Sequence, residues 1–600
     1  MRITRTLATP LLGLAVALGI TPHTAQAAMV GPGDMSFYNP PQVTAGAPGD
    51  LTWYRQTTVD LGSSAVTRHA WNVVYRSTDA RGNSNLVTGT ILTPESPWQG
   101  AGERPVISYA VGTHGLAQRC APSLQMANGT DYENANIVAA LQAGYTVLVS
   151  DNPGYTTGDT PTYMSGAAQG HAVLDIVRAA RQLPDSGVSD HSRVAVWGYS
   201  QGGQTSARAG ELQPDYAPDV DLVAVASGGT PADFFDTANY LNASTGSSFL
   251  LQAVIGLAQQ YPQGIPLDSL ANAHGKTEIA RVKADQCVFD TLFDYMNKDI
   301  AEYTVGNQSL AQLTSIPSVH DTLEDQALGG EKMPVPIYQY HGTADEFIPL
   351  EQHLALKKKY CRKFSNVTFG VYPSEHIVTQ FQAAPTVLAW LNDRMAGKFT
   401  LGTCVTLKPK PTANANPGGG DFVVTLDQWP LDANIHLATL NQDVKLPDDA
   451  SFTADTNMTA GTLNGDLTVP DFSTKLNILL PLDVKLSVVP SSSTSGNASL
   501  DNQGQLHVHG QAFANITVKS AGFGFLQIPF GCQTESPVAF PVNFDGPISA
   551  LGAGNLTFTG TTSFPRMKSC GLFNSLFTTL MSGPGQQYSF NVSPPAPTTW

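Results

Sequence analysis

The segment Gly198-Tyr199-Ser200-Gln201-Gly202-Gly203 has the clearest chemical consequence in the chain. A serine with glycine two positions away on each side, between an apolar run and a helical run (204–212), fits a turn too tight for larger residues, and its hydroxyl then stands above a sheet edge. A serine hydroxyl is a poor nucleophile at neutral pH, so it needs a histidine to take its proton and a carboxylate to hold that histidine's tautomer. Both are expected downstream, acid before base. Asp345 follows the apolar run 335–340, within His341-Gly342-Thr343-Ala344-Asp345-Glu346-Phe347-Ile348-Pro349, and His376 follows the run Val367–Tyr372, within Pro373-Ser374-Glu375-His376. Ser200, Asp345 and His376 are therefore the expected nucleophile, acid and base, with Glu346 and Glu375 the nearest rivals for the acid. A tetrahedral oxyanion would need two preorganised N–H donors. Gln201, directly after the serine, is one; the loop Gly112-Thr113-His114-Gly115 offers the other, with the His114 N–H favoured.

These residues must be carried by elements. Apolar, β-branched runs at 105–111, 145–150, 194–198, 222–226, 335–340 and Val367–Tyr372 alternate with longer helical patterns; Ala168, Val173, Ile176, Val177, Ala180 and Leu183 recur at helical spacing between the second and third. That alternation predicts an α/β fold, a mostly parallel sheet with helices on both faces, whose sites assemble at the carboxyl ends of the strands. Residues 231–332 break the rhythm with helical stretches such as 249–260 and are expected to form a cap. A Pro/Gly-rich stretch at 408–420 predicts a linker between a domain at 28–407 and a second at 421–600. After it, short runs at 422–426, 476–480, 484–489, 505–509 and 556–558, separated by Gly, Asn, Asp and Ser, predict an all-β, sandwich-like domain. The similar segments 461–470 and 554–565 leave an internal repeat open.

The chain has 600 residues, with Lys+Arg 32 against Asp+Glu 48 and a formal net charge of −16. Nucleic-acid binders neutralise phosphates with clustered cations, so that class is excluded. Met1-Arg2-Ile3-Thr4-Arg5, an apolar stretch at 11–20 and Ala25-Gln26-Ala27 match the three parts of an export signal covering 1–27. No stretch reaches the roughly 20 apolar residues of a bilayer-spanning helix, so no transmembrane anchor is expected. Export permits disulfides. The six cysteines admit many connectivities, and local pairing, Cys120–Cys287, Cys361–Cys404 and Cys532–Cys570, is the expectation. No Cys/His cluster has zinc spacing, so no metal is expected; His507 and His509 share a strand face but lack a third ligand nearby in sequence.

Residues 34–406 resemble the secretory lipase family, the Candida-type lipases of the α/β-hydrolase superfamily. The resemblance is carried by Phe37-Tyr38-Asn39-Pro40-Pro41, Ser108-Tyr109, Cys120-Ala121-Pro122-Ser123, Gly198-Tyr199-Ser200, Gly228-Gly229-Thr230-Pro231 and Glu375-His376. It implies an α/β-hydrolase fold with a helical cap over an acyl tunnel, a triad at Ser200, Asp345 and His376, and the pairs Cys120–Cys287 and Cys361–Cys404. Two departures stand out: His114 where the yeast-type lipases have an acidic residue, and Gln201 where they have glycine. The segment after Gly420 is not covered.

The expectation is a secreted serine carboxylester hydrolase that cleaves lipid or other hydrophobic esters through an acyl-enzyme, with no cofactor. Phe234, Phe235, Phe249, Leu250, Leu251, Ile255 and Leu257 of the cap would supply an apolar acyl site. The alternatives are an acyltransferase or peptidase using the same triad, which substrate choice would distinguish, and an envelope-binding protein whose β domain is the working part, which an inert serine would favour. The partner is a hydrophobic ester, at a lipid interface or the cell envelope. Oligomeric state is left open.

Overall fold

The computed structural model describes residues 28–599 except 42–45, 63–65, 157, 406–419, 479, 525 and 597. The expected export signal and all but the last residue of the expected linker lie outside the described residues.

The strands of the first sheet alternate between two cores. In Val194–Tyr199, Val194 and Val196 pack on one face with Ala172, Ala207 and Leu356, while Ala195, Trp197 and Tyr199 pack on the other with Ile137 and Val387. Period-two alternation between two apolar faces is what a strand buried on both sides requires. Eleven strands form this sheet, and six neighbours are parallel: Thr146–Ser150, Val106–Ala110, Val194–Tyr199, Leu222–Gly228, Ile337–Gly342 and Val367–Tyr372. The fold is that of an α/β hydrolase. Between Leu222–Gly228 and Ile337–Gly342 the chain leaves the sheet for a helical layer that includes Phe234–Leu241, Ser247–Gln260, Ala273–Asp285 and Pro317–Asp325. No helix of the described residues is long and apolar enough to cross a membrane.

The C-terminal part is a twelve-stranded antiparallel sheet. It curls until the Thr562 hydroxyl, on Leu556–Phe564, donates to the Ala539 carbonyl on Val538–Pro547 at 2.6 Å, enclosing an apolar core around Trp429, Val484 and Val518. Its strands are longer than the sequence pattern predicts: Val423–Leu437 has 15 residues, Leu480–Leu500 has 21 and Gln505–Phe523 has 19. The Pro, Ser and Gly residues that read as breaks are absorbed by shifts of register, as between Pro490 and Ser492 and between Ser492 and Ser495, so one strand continues through them.

This sheet is docked on the hydrolase. Thr598–Thr599 pairs with the edge strand Val367–Tyr372. A Cβ on Gly552, in the helix Ser549–Ala553, would lie 2.3 Å from the Val378 carbonyl oxygen and 2.7 Å from the Phe381 Cβ, so only glycine lets this helix meet His376–Gln382 so closely.

Three disulfides join Cys120 to Cys287, Cys361 to Cys404 and Cys532 to Cys570. The first ties the segment before the helix Pro122–Asn128 to Cys287, which caps the helix Val288–Asp294. Replacing Cys120 and Cys287 with serine should cost roughly 2–5 kcal/mol. Thermal unfolding monitored by circular dichroism is the check, and an unchanged melting temperature would count against a stabilising role for this bridge.

Candidate active site

Ser200 sits at φ 58°, ψ −121°, between the strand Val194–Tyr199 and the helix Gln201–Tyr216. A side chain in that region of backbone space is strained and persists only where its surroundings hold it. They do so by close packing: a Cβ on Gly202 would lie 1.9 Å from the Ala110 carbonyl oxygen, and one on Gly198 would lie 2.2 Å from that of Gly202. The Ser200 N–H donates to the Gly228 carbonyl on the neighbouring strand at 2.9 Å. The turn therefore needs its glycines because backbone fills the space where side chains would go.

Asp345 and His376 follow the next two strands. The His376 Nδ1–H donates to Asp345 Oδ2 at 2.7 Å, which leaves Nε2 to act as acceptor. Asp345 Oδ1 accepts from the N–H groups of Phe347 and Ile348 at 3.0 and 2.8 Å. Burial works against a charge on Asp345, but His376, His341 and the Ile348 N–H together hold its carboxyl below the usual range. Burial would likewise lower His376, and the Asp345 carboxylate outweighs it, so the imidazole pKa is raised.

The two rival acids have other contacts. Glu346 Oε2 accepts the backbone N–H of His376 at 2.9 Å, and Glu375 Oε1 accepts the N–H of Thr425, from the C-terminal sheet, at 2.8 Å. Both are buried, and each has one oxygen without a hydrogen-bond partner. Burial first, then the neighbouring carboxylates, pushes Glu346 up to about 7 and Glu375 up to about 8.

Ser200, Gln201 and His376 line one cavity whose remaining wall is almost wholly apolar, with Phe234, Leu241, Phe249, Leu251, Ile255 and Phe347 among its side chains. Ser200 and His376 thus face the same space, and contacts between such a hydroxyl and an imidazole are often long before substrate arrives and tighten in the complex. As the first residue of its helix, Gln201 has an N–H with no intrahelical acceptor.

The His114 side chain is buried and lies outside this lining. Its Nδ1 meets the Gly112 carbonyl at 3.0 Å and its Nε2 meets Asp131 Oδ2 at 3.3 Å. Burial would lower its pKa, but Asp131 and Glu133 raise it to about 9. The Gly112 N–H is spent on Glu133 Oε2 at 2.9 Å, and Gln380, on the His376 helix, donates to the other Glu133 oxygen. Neither Glu133 nor His341, which stands 3.3 Å from Asp345 and 2.9 Å from His353, is foreseen from sequence. His341 had a faint signal, since it lies near the end of a strand, four residues before Asp345.

The comparisons with known proteins agree on the hydrolase part. A family model described as "Secretory lipase" matches residues 121–403. Lipase 6 of Candida albicans is 30% identical over 362 residues, 56% of this chain and 75% of that one. A probable inactive lipase of Mycobacterium tuberculosis is 29% identical over 342 residues, 55% of this chain and 74% of its own. Among solved structures, Candida antarctica lipase A in its closed state aligns with a TM-score of 0.54 at 22% identity, over 62% of this chain and 87% of that one, a likeness of fold.

The carboxyl cluster has a consequence for stability. A buried carboxyl whose pKa is raised from 4.5 to about 8 keeps its proton in the folded state while the unfolded chain loses it. In that window the folded state binds more protons, so stability falls as pH rises from 4.5 towards 8. Glu375→Gln should flatten this decline in melting temperature measured against pH, whereas a slope equal to wild type would remove Glu375 as its source.

Proposed function

The chain belongs to the secretory lipase family, and from that premise we propose that it is an exported serine ester hydrolase acting on hydrophobic acyl esters. The observation that carries this reading is a single cavity, apolar along its length, with Ser200 and His376 in its wall and Asp345 hydrogen-bonded behind His376. Family membership alone is not enough, because one similar protein is named a probable inactive lipase. What supports activity here is that this chain has a serine on a strained turn, a neutral-capable imidazole with its Nε2 free, and a buried carboxylate on Nδ1.

In this reading Ser200 Oγ attacks the acyl carbon, and its proton passes to His376 Nε2. The backbone N–H groups of Gln201 and His114 hold the oxyanion. His376 then protonates the leaving alcohol, water enters, and the acid is released by the same steps in reverse order. Asp345 stabilises the imidazolium throughout. The apolar wall receives the acyl chain, which fits a lipid-like ester better than a peptide. Residues 1–27 serve as the export signal, and 408–420 links the hydrolase at 28–407 to the sheet at 421–600.

Release of p-nitrophenol from short- and long-chain acyl esters tests this. Ser200→Ala should lower kcat by about 10⁴-fold or more. Ala238→Phe, in the cavity wall, should lower kcat/KM for long chains by about tenfold and spare short ones. Since the base must be neutral, kcat/KM should fall as pH drops through a midpoint above the ordinary histidine value of 6.5. Equal activity in wild type and Ser200→Ala would refute the assignment.

A further inference from the structure

His507 and His509 stand two residues apart on Gln505–Phe523 and leave the same face of the C-terminal sheet. Strand pairing brings a third group to them. His507 lies opposite Asp545 on Val538–Pro547, and Asp545 Oδ1 is 2.7 Å from His507 Nδ1 and 3.1 Å from His509 Nε2. One ligand atom from each residue lies within 4.8 Å of the other two. Donors held at about 2.0–2.2 Å around a tetrahedral zinc ion stand about 3.3 Å apart, so small side-chain rotations complete the fit.

We propose that His507, His509 and Asp545 form a binding site for a zinc-class divalent cation on the outer face of the C-terminal sheet. Two imidazoles and one carboxylate suit borderline cations, whereas magnesium and calcium favour oxygen ligands alone. The three side chains are 37%, 52% and 57% exposed, so an ion reaches them from solvent and water fills the remaining position.

An outer carboxylate supports the arrangement. Asp501 Oδ2 is 3.6 Å from His507 Nε2, the ring nitrogen turned away from Asp545, and so is placed to orient that ring as partners of zinc-bound histidines do. Asp501 is itself held, accepting from the N–H groups of Gln503 and Gln505 at 2.8 Å each. For a neutral imidazole that now donates to Asp545, binding would shift its proton to the other ring nitrogen and leave the freed nitrogen to take the ion.

Asp501 also begins a turn whose Gly504 abuts Phe289, on the helix that starts after Cys287. The ion would thus brace one of the turns through which the C-terminal sheet touches the cap. This site shares no residue with the cavity that holds Ser200, so the proposal stands or falls independently of the esterase reading.

The test is calorimetric titration of the untagged full chain, stripped with chelator, with zinc chloride, beside metal analysis after dialysis. One zinc per chain is expected, with binding weakened at least about tenfold in His507→Ala and in His509→Ala, and about 10–100-fold in Asp501→Asn. His436→Ala, which removes another exposed histidine paired with an aspartate on the same sheet, should leave binding unchanged. Circular dichroism confirms that each surface variant is folded. No uptake by wild type, or equal uptake by the His507→Ala/His509→Ala double variant, would overturn the proposal.

Discussion

The structure around the candidate site depends on keeping one carboxylate charged where there is almost no water. Asp345 is buried, and a lone buried charge would take up a proton rather than persist. Two backbone N–H groups on one oxygen and the His376 imidazole on the other balance it, with His341 Nε2, bonded to the Ile348 carbonyl at 2.9 Å, another 3.3 Å from that second oxygen. That arrangement dictates much else. It needs a turn at 345–348 that aims successive N–H groups inward, and two strand ends that bring Asp345 and His376 together. The His376 ring is fixed by its Nδ1 bond to Asp345, and the bond from its backbone N–H to Glu346 anchors the start of the helix that carries it.

The C-terminal sheet belongs to this account through its contacts. It meets the His376 helix from behind: Thr425 hydrogen-bonds Glu375, the residue that caps that helix, and Gln382 at its end donates to the Pro595 carbonyl at 2.7 Å. Phe422 packs on Phe347, and Phe347 in turn packs on the His376 ring, with centroids 5.9 and 5.4 Å apart. Loss of this docking would expose Glu375 and Glu346 to water, lower their affinity for protons and loosen the imidazole they surround. The sheet is in this sense part of the wall that keeps the site dry.

How much of this was legible in the sequence follows from what each feature depends on. The strand-turn-helix around Ser200 and the loops bearing Asp345 and His376 were readable because local patterns, apolar runs followed by Gly- and Asp-containing loops, place side chains at one sheet edge. The roles of Glu133, Glu346 and His341 were not, because they rest on contacts between elements far apart in sequence, such as Glu133 with Gln380. The long strands of the C-terminal sheet were hidden by Pro490 and the serines after it, which a bulged strand tolerates and a local pattern reads as a break. The pairing of His507 with Asp545 required a register that only the folded sheet defines.

The most direct test of the central claim is to treat the full chain with a long-chain alkyl phosphonate ester and map the adduct by mass spectrometry. The account predicts one phosphonyl group per chain, on Ser200, formed far more slowly when His376 is replaced by glutamine, since the hydroxyl then has no base. An adduct elsewhere, none at all, or equal labelling of wild type and the His376→Gln variant would contradict it.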